Sequence, residues 1–369
     1  MTSEAKSLTR ALQSLVEESV RRAGGWLPFD RFMAPALYAP GLGYYASSSR
    51  QFGQLPSSGS DFVTAPEMSP LFGQAFAAQV ADALQVTSTD EVWEFGAGSG
   101  ALALQLLRNL ESRVRRYTIV ELSAALRARQ QETLAEFGAA VQWASGLPEA
   151  MRGVIVGNEV IDAMPVKLLA RVKGAWHERG VGLRNAQGEA GGLEWEDRAT
   201  ELRPPVDIPG AHDYLTEIHP QAEAFVRTLA DRLVQGAAFF IDYGFAEGEY
   251  YHPQRHMGTL MCHRGHMADT DPLSALGEKD ITAHVNFSGL ALAAQEAGLP
   301  TLGYTTQARF LMNCGLVSLL AQAPLEQRSA GQRLLAEHEM GELFKVIAFH
   351  RGEFWDAVGF RDGDRTHTL

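Results

Sequence analysis

Only two cysteines, Cys262 and Cys314, occur in 369 residues, so no disulfide framework is implied and a reducing, cytoplasmic setting is expected. Positive charge is also scarce: 32 Lys and Arg stand against 44 Asp and Glu, for a formal net charge of −12. Tracking nucleic-acid phosphates needs clustered Lys and Arg, so that class of partner is not expected, whereas a basic peptide suits the balance. No apolar run reaches the roughly 18 residues of a membrane span, so membrane insertion is not expected either. The amino terminus carries Glu4, Glu17 and Glu18 without a long apolar centre, and reads as neither a secretory signal nor a transit peptide. What is present, 46% apolar and 21% charged residues, is the composition of an ordinary globular chain with a full core.

The stretch VWEFGAGSGALALQLL (92–107) reads as a buried strand, a glycine turn and the start of a helix. A second apolar strand then ends at Glu121, where a carboxylate can accept both hydroxyls of a ribose. Dinucleotide folds space their glycines as G-x-G-x-x-G, with a pyrophosphate on the helix amino terminus. Here the spacing is E-x-G-x-G-x-G, with Glu94 two residues before Gly96, followed by Gly98 and Gly100. An acid at that place suits a cofactor with a cationic amino-acid tail, the charge pattern of S-adenosylmethionine. Ala97 within the turn and Leu122 beside Glu121 complete the expected cofactor contacts.

Strands are expected near 91–95, 117–121, 140–143, 153–158, 237–242, 301–304 and 344–350. Helices are expected over 71–84, 220–236, 288–297 and 306–313, so most strands alternate with helices. That alternation predicts an α/β class, a doubly wound, mostly parallel Rossmann-like sheet of seven strands closed by an antiparallel terminal hairpin. Residues 1–88 read as an amino-terminal helical region whose Ser- and Gly-rich part, 46–60, is a lid or a linker. Turn signals at Lys173-Gly174 and over Asn185 to Gly188 make 166–210 an antiparallel insertion, leaving 89–165 and 211–369 as the core.

Chemistry is concentrated in GVIVGNEVIDAMPV (153–166), an apolar strand ending in Asn158 and Glu159, with Asp162 following. Residues past such a strand's carboxyl end face the ligand crevice. Glu159 and Asp162 lie three apart, so one turn of helix would aim both carboxylates into one pocket; a solvated turn or a helix cap is the plainer reading. Asp242 and Tyr243, ending the strand FFIDY, could orient a substrate or simply close a loop. His252, His256, Cys262, His263 and His266 invite a zinc reading, but the spacing matches no zinc motif, and no metal is expected. His284, near Asp280, is a further polar candidate.

Taken together, these motifs resemble the mitochondrial methyltransferases that assist respiratory complex I assembly, and their bacterial homologues. The resemblance is carried by PGLGYY (40–45), GSDFVTAPEMSPLFGQ (59–74), WEFGAGSGALA (93–103), VELS (120–123), NEVIDAMPV (158–166), FFIDYG (239–244), GTLMCHRGHMADTDPL (258–273), DITAHVNF (280–287) and TTQARFL (305–311). It implies a class I S-adenosylmethionine-dependent fold and methylation of a protein arginine, in the mitochondrial members on a complex I subunit; a homodimer is left open. By that likeness Glu94, Gly96, Gly98 and Gly100 would hold the methionine part and Glu121 the ribose, with Asn158 and Glu159 between cofactor and substrate. Tyr44, Tyr45, Asp61, Asp242, Tyr243, His263 and His284 are candidate substrate contacts. Ala97 stands where the family often has proline and Met164 where leucine is common, and neither change removes a charge. Glu159 and Asp162 would hold a guanidinium between two carboxylates, although the second glutamate of arginine methyltransferases has no obvious counterpart here. An NAD-dependent oxidoreductase and a non-catalytic assembly protein that binds the same cofactor are the competing readings.

Overall fold

The computed structural model describes residues 3–46, 63–184, 192–265 and 267–369. Its central sheet has eight strands, labelled here in chain order: β1 (Glu91–Phe95), β2 (Arg116–Val120), β3 (Val141–Ala144), β4 (Met151–Asn158), β5 (Leu233–Phe245), β6 (Val285–Asn286), β7 (Thr301–Thr306) and β8 (Phe344–Arg351). The order is β7-β8-β5-β4-β1-β2-β3, with β6 pairing with β5. The ladders β3–β2–β1–β4–β5 and β5–β6 are parallel, while β8 runs antiparallel to both β5 and β7. Expectation and structure differ in two details. The two-residue β6 makes an eighth strand, and the antiparallel pair β7–β8, expected to close the sheet as a hairpin, is joined through residues 307–343, which are largely helical.

The inner strands read as unbroken apolar runs because both faces are covered. Side chains alternate between two cores: Val154 and Val156 face one, Ile155 the other. The first core is closed by the helices Pro70–Thr87 and Ala101–Leu110, through Phe72, Phe76, Leu102 and Leu106. The second is closed by Pro220–Arg232 and Phe287–Glu296, through Val226, Leu229 and Leu290. The helix Pro70–Thr87 starts with Pro70 in its first turn and the Ser69 hydroxyl accepting the Leu71 N–H at 3.3 Å. The helix expected to reach 236 stops at Arg232, because Leu233 and Gln235 already pair with Met151 and Arg152 of β4.

Two smaller sheets flank the carboxyl edge of the central one. Lys167–Val172, Ala175–Leu183, Leu193–Ala199 and Tyr214–Ile218 form an antiparallel sheet that Trp26–Pro28 joins, so it extends past residue 210 and recruits the amino-terminal region. The expected turn at Asn185 to Gly188 lies outside the described residues. The third sheet places Met261–Arg264 between Met267–Asp269 and Asp280–Thr282, within the segment expected as a His-rich loop. Cys262 is fully buried at its centre. Among the described residues no three His, Cys, Asp or Glu side chains are grouped to hold a metal, and no helix is long and apolar enough to cross a membrane. His266 lies outside the described residues.

Candidate active site

The chain leaves β1 for β2 on one side and returns to β4 on the other, so a crevice opens between the carboxyl ends of β1 and β4. A cavity of about 710 Å³ fills it. Its floor is the glycine turn, where Gly96, Gly98 and Gly100 have φ of 63°, 54° and 88°, a region that glycine enters without strain. A Cβ on Gly96 would come within 2.7 Å of Val160 Cγ2, so the turn is also closed to larger residues by the loop after β4. Gly100 does not line the cavity; it is the amino-terminal cap of the helix Ala101–Leu110.

Glu94 and Glu121 both line this cavity. Glu94 is 1% exposed and accepts the Tyr117 hydroxyl at 2.8 Å. Burial pushes its carboxyl up to about 8, opposed by the Tyr117 bond and reinforced by Glu121. Glu121 Oε1 accepts the Ser123 N–H at 2.8 Å and Oε2 the Gln130 amide at 3.0 Å, and the Leu122 N–H also reaches the carboxylate. A carboxylate has about four acceptor positions, so capacity remains for ribose hydroxyls. Leu122, 78% exposed, and Ala97 line the cavity beside them.

The opposite wall comes from the loop after β4. Glu159 sits at φ 54°, a left-handed conformation uncommon outside glycine, and lines the cavity with Asn158. Three contacts hold it there. Its N–H donates to the Ile241 carbonyl at 2.8 Å, Asn158 Nδ2 donates to its Oε1 at 3.0 Å, and the Ala65 N–H also reaches its carboxylate. Burial first, and Asp162 second, raise the Glu159 carboxyl to about 8. The buried Asn158 Oδ1 has no partner among the described residues, so the cavity offers an unused acceptor to a ligand donor.

The expected helical turn carrying Glu159 and Asp162 together is not formed. Asp242 Oδ2 accepts the successive N–H groups of Val160, Ile161 and Asp162, at 3.2, 2.9 and 3.2 Å, and curls the loop around its carboxylate. Asp162 therefore lies behind the cavity wall, where Tyr243 donates its hydroxyl to Oδ2 at 2.5 Å. Burial raises the Asp162 carboxyl to about 6 against that bond. The two acids share an electrostatic environment but not a surface.

Of the expected substrate contacts, Tyr45 lines the cavity, and its hydroxyl donates to Asp280 Oδ1 at 2.8 Å. Tyr44 is 1% exposed and packs edge-on against Tyr45 instead. Asp242, Tyr243, His263 and His284 are not cavity residues. His284 rests against the Tyr243 ring at 5.2 Å, and burial holds its imidazole down to about 4. His263 pairs with Asp280 in the third sheet. Asp61 and the 47–60 part of the expected lid lie outside the described residues.

Sequence reasoning passed over Tyr38, Thr64, Pro66, Glu67 and Phe225, all of which line the cavity. Glu67 accepts the Ser99 hydroxyl, which ties the segment 64–67 to the glycine turn. The only signal for it was the motif TAPEMSP, whose acid has no meaning until the fold places it opposite the turn. With it, the cavity is bordered by four carboxylates, Glu67, Glu94, Glu121 and Glu159, and by no Lys or Arg among the described residues. A dinucleotide's phosphates would meet only like charge there. A ligand with a sulfonium, an ammonium and a ribose fits the donor and acceptor set.

The relatives agree with this chemistry. Residues 75–305 match the family described as "Putative S-adenosyl-L-methionine-dependent methyltransferase". A crystal structure from Burkholderia thailandensis, bound to S-adenosyl-homocysteine, is 47% identical with a TM-score of 0.95, covering 100% of this chain and 99% of that one. The mitochondrial protein arginine methyltransferase NDUFAF7 of Danio rerio is 27% identical over 375 residues, which take in 88% of this chain and 84% of that protein. Its human counterpart is 25% identical over 371 residues, 89% of this chain and 80% of that protein. The glycine turn, the acid-lined crevice and these likenesses place the chain in one family: it belongs to the S-adenosyl-L-methionine-dependent methyltransferases whose model spans residues 75–305.

Proposed function

We propose that the chain transfers the methyl group of S-adenosylmethionine to an arginine side chain of a protein substrate. The observation that carries this reading is the cavity bordered by Glu67, Glu94, Glu121 and Glu159 without a described cation. Carboxylates held up to about 8 by burial, as at Glu94 and Glu159, are groups waiting for positive charge. The cofactor meets part of that demand and a guanidinium beside Glu159 meets the rest. The names of the mitochondrial relatives support the arginine acceptor.

In this mechanism the cofactor supplies an electrophilic methyl group on a sulfonium. Glu121 takes the ribose hydroxyls, while Glu94 and the turn Gly96–Ala97–Gly98 take the methionine end. Asn158 and Glu159 stand where cofactor and acceptor meet. A guanidinium is a poor nucleophile because its charge is delocalised. Glu159 draws that charge towards one side and leaves the far nitrogen to attack in line. The guanidinium nitrogen that Glu159 faces gives one proton to its carboxylate, which balances the positive charge that the transferred methyl group brings to the arginine. Asp162 contributes behind the wall, by keeping the Glu159 carboxyl basic enough to take that proton.

Incubation of the purified chain with cofactor labelled in its methyl group, together with cell extract, followed by peptide mapping, tests the reading. Label on arginine is the expected result, and a respiratory complex I subunit is the first acceptor to try, on the strength of the motif resemblance. Label on another residue type overturns the arginine acceptor. Tight cofactor binding without any transfer supports a non-catalytic assembly protein instead.

A further inference from the structure

We infer that Gln130 is a positioning residue for the cofactor: its single amide locks the glycine turn to the ribose-binding carboxylate. Gln130 is fully buried, on the helix Ala124–Thr133 after β2. Its Nε2 donates one hydrogen to the Gly98 carbonyl at 3.0 Å and the other to Glu121 Oε2 at 3.0 Å. Its Oε1 accepts the indole N–H of Trp143 at 3.0 Å. The amide cannot be turned over, because the indole only donates and the other two partners only accept.

One side chain therefore bridges three neighbouring strands: the turn after β1, the acid after β2 and Trp143 within β3. Two consequences follow for the cofactor. Both hydrogens of the amide are consumed, and with the Ser123 and Leu122 N–H groups they fix the Glu121 carboxylate at the ribose end while leaving it acceptor capacity. The distance between the ribose subsite and the methionine subsite is also fixed through Gln130, since Gly98 O and Glu121 Oε2 share the same nitrogen. Burial raises the Glu121 carboxyl, against its hydrogen bonds from Ser123, Gln130 and Leu122 and the charge of Arg127, which donates to the Trp143 carbonyl at 2.8 Å. The other charged neighbour is Glu94, which burial and then Glu121 raise.

The test is calorimetric titration of the full chain with S-adenosylmethionine, S-adenosylhomocysteine and adenosine, and needs no methyl acceptor. Gln130→Leu keeps the bulk and removes all three bonds. It should weaken all three ligands, roughly tenfold to hundredfold for S-adenosylmethionine and S-adenosylhomocysteine, which use both subsites, and less for adenosine, which uses only the ribose one. Gln130→Glu keeps the shape but turns an acceptor towards Gly98 O and Glu121. Its adenosine affinity, taken relative to the unsubstituted chain, should be low at pH 8 and recover towards pH 5.5 as the new carboxyl gains a proton to donate. An unchanged affinity in a folded Gln130→Leu protein, or a loss confined to S-adenosylmethionine, overturns the assignment. If that variant does not fold, the Gln130→Glu series decides alone: a relative affinity flat with pH overturns the assignment, and a recovery at low pH supports it.

Discussion

The Asp242 carboxylate accepts the backbone N–H of Ile161 at 2.9 Å, and the same oxygen takes the N–H groups on either side of it. Through this bond β5 dictates the path of the loop after β4, and so the left-handed backbone of Glu159. Asp242 is 1% exposed, and burial, with Asp162 and Glu159 nearby, pushes its carboxyl well up. Its work is done on backbone amides rather than on a substrate.

Asp242→Ala should leave three amides without an acceptor, two of them buried, at about 1–3 kcal/mol for each buried group left unpaired. Thermal denaturation should show the loss, and methyl transfer should fall further than the affinity for S-adenosylhomocysteine. Asp242→Asn retains an acceptor oxygen and should recover most of both. Equal behaviour of the two variants would mean that the amides do not depend on this side chain.

Glu159→Gln should bind S-adenosylhomocysteine about as well as the unsubstituted chain, because the residues proposed to hold ribose and methionine are others. Its methyl transfer should drop by roughly a hundredfold or more, the usual scale for a lost acid–base group. Full turnover in this variant removes Glu159 from the proposed mechanism.

Stability should depend on pH with a definite sign. Glu94 and Glu159 are both raised from 4.5 to about 8 in the folded chain, so over that interval the folded state binds more protons than the unfolded one. Their contribution is fully present below about 4.5 and is lost as pH rises through about 8. Melting of the ligand-free chain should therefore shift down across this window once other groups are accounted for by the Glu94→Gln and Glu159→Gln variants. The stabilisation by S-adenosylmethionine should grow over the same window, and more than that by the uncharged-sulfur product. A melting temperature whose pH response is unaltered in both variants would contradict the shifts.

Two glycines test the core. Gly153 of β4 and Gly236 of β5 face each other in register, with φ of 124° and 132°. A Cβ on Gly153 would lie 2.0 Å from the Glu91 carbonyl oxygen, and one on Gly236 only 1.8 Å from that of Gly153. Alanine at either place should destabilise by roughly 3 kcal/mol or more, since backbone of adjacent strands has to separate. Denaturant unfolding with a midpoint within error of the unsubstituted chain would show that the ladder can relax there.

Much of the architecture was legible because it is written in short-range pattern. The strand Glu91–Phe95, the helix start after Gly100 and the strand ending beside Glu121 follow from apolar runs broken by glycine and acid at fixed spacing. The helix before β5 was read too long because Leu233 to Gly236 look helical locally, and only pairing with β4 and β8 draws them into the sheet.

The sequence by itself determined the cofactor class, since E-x-G-x-G-x-G and the acid after β2 are local chemistry carried by one turn and two strand ends. Tertiary structure alone decided which carboxylates meet. Glu67 arrives from a segment before β1, Asp162 is turned behind the wall by amides bound to Asp242, and Gln130 spans three neighbouring strands from within a helix. Such contacts join residues far apart in the chain, and their geometry is set by sheet order and burial, which no local spacing encodes.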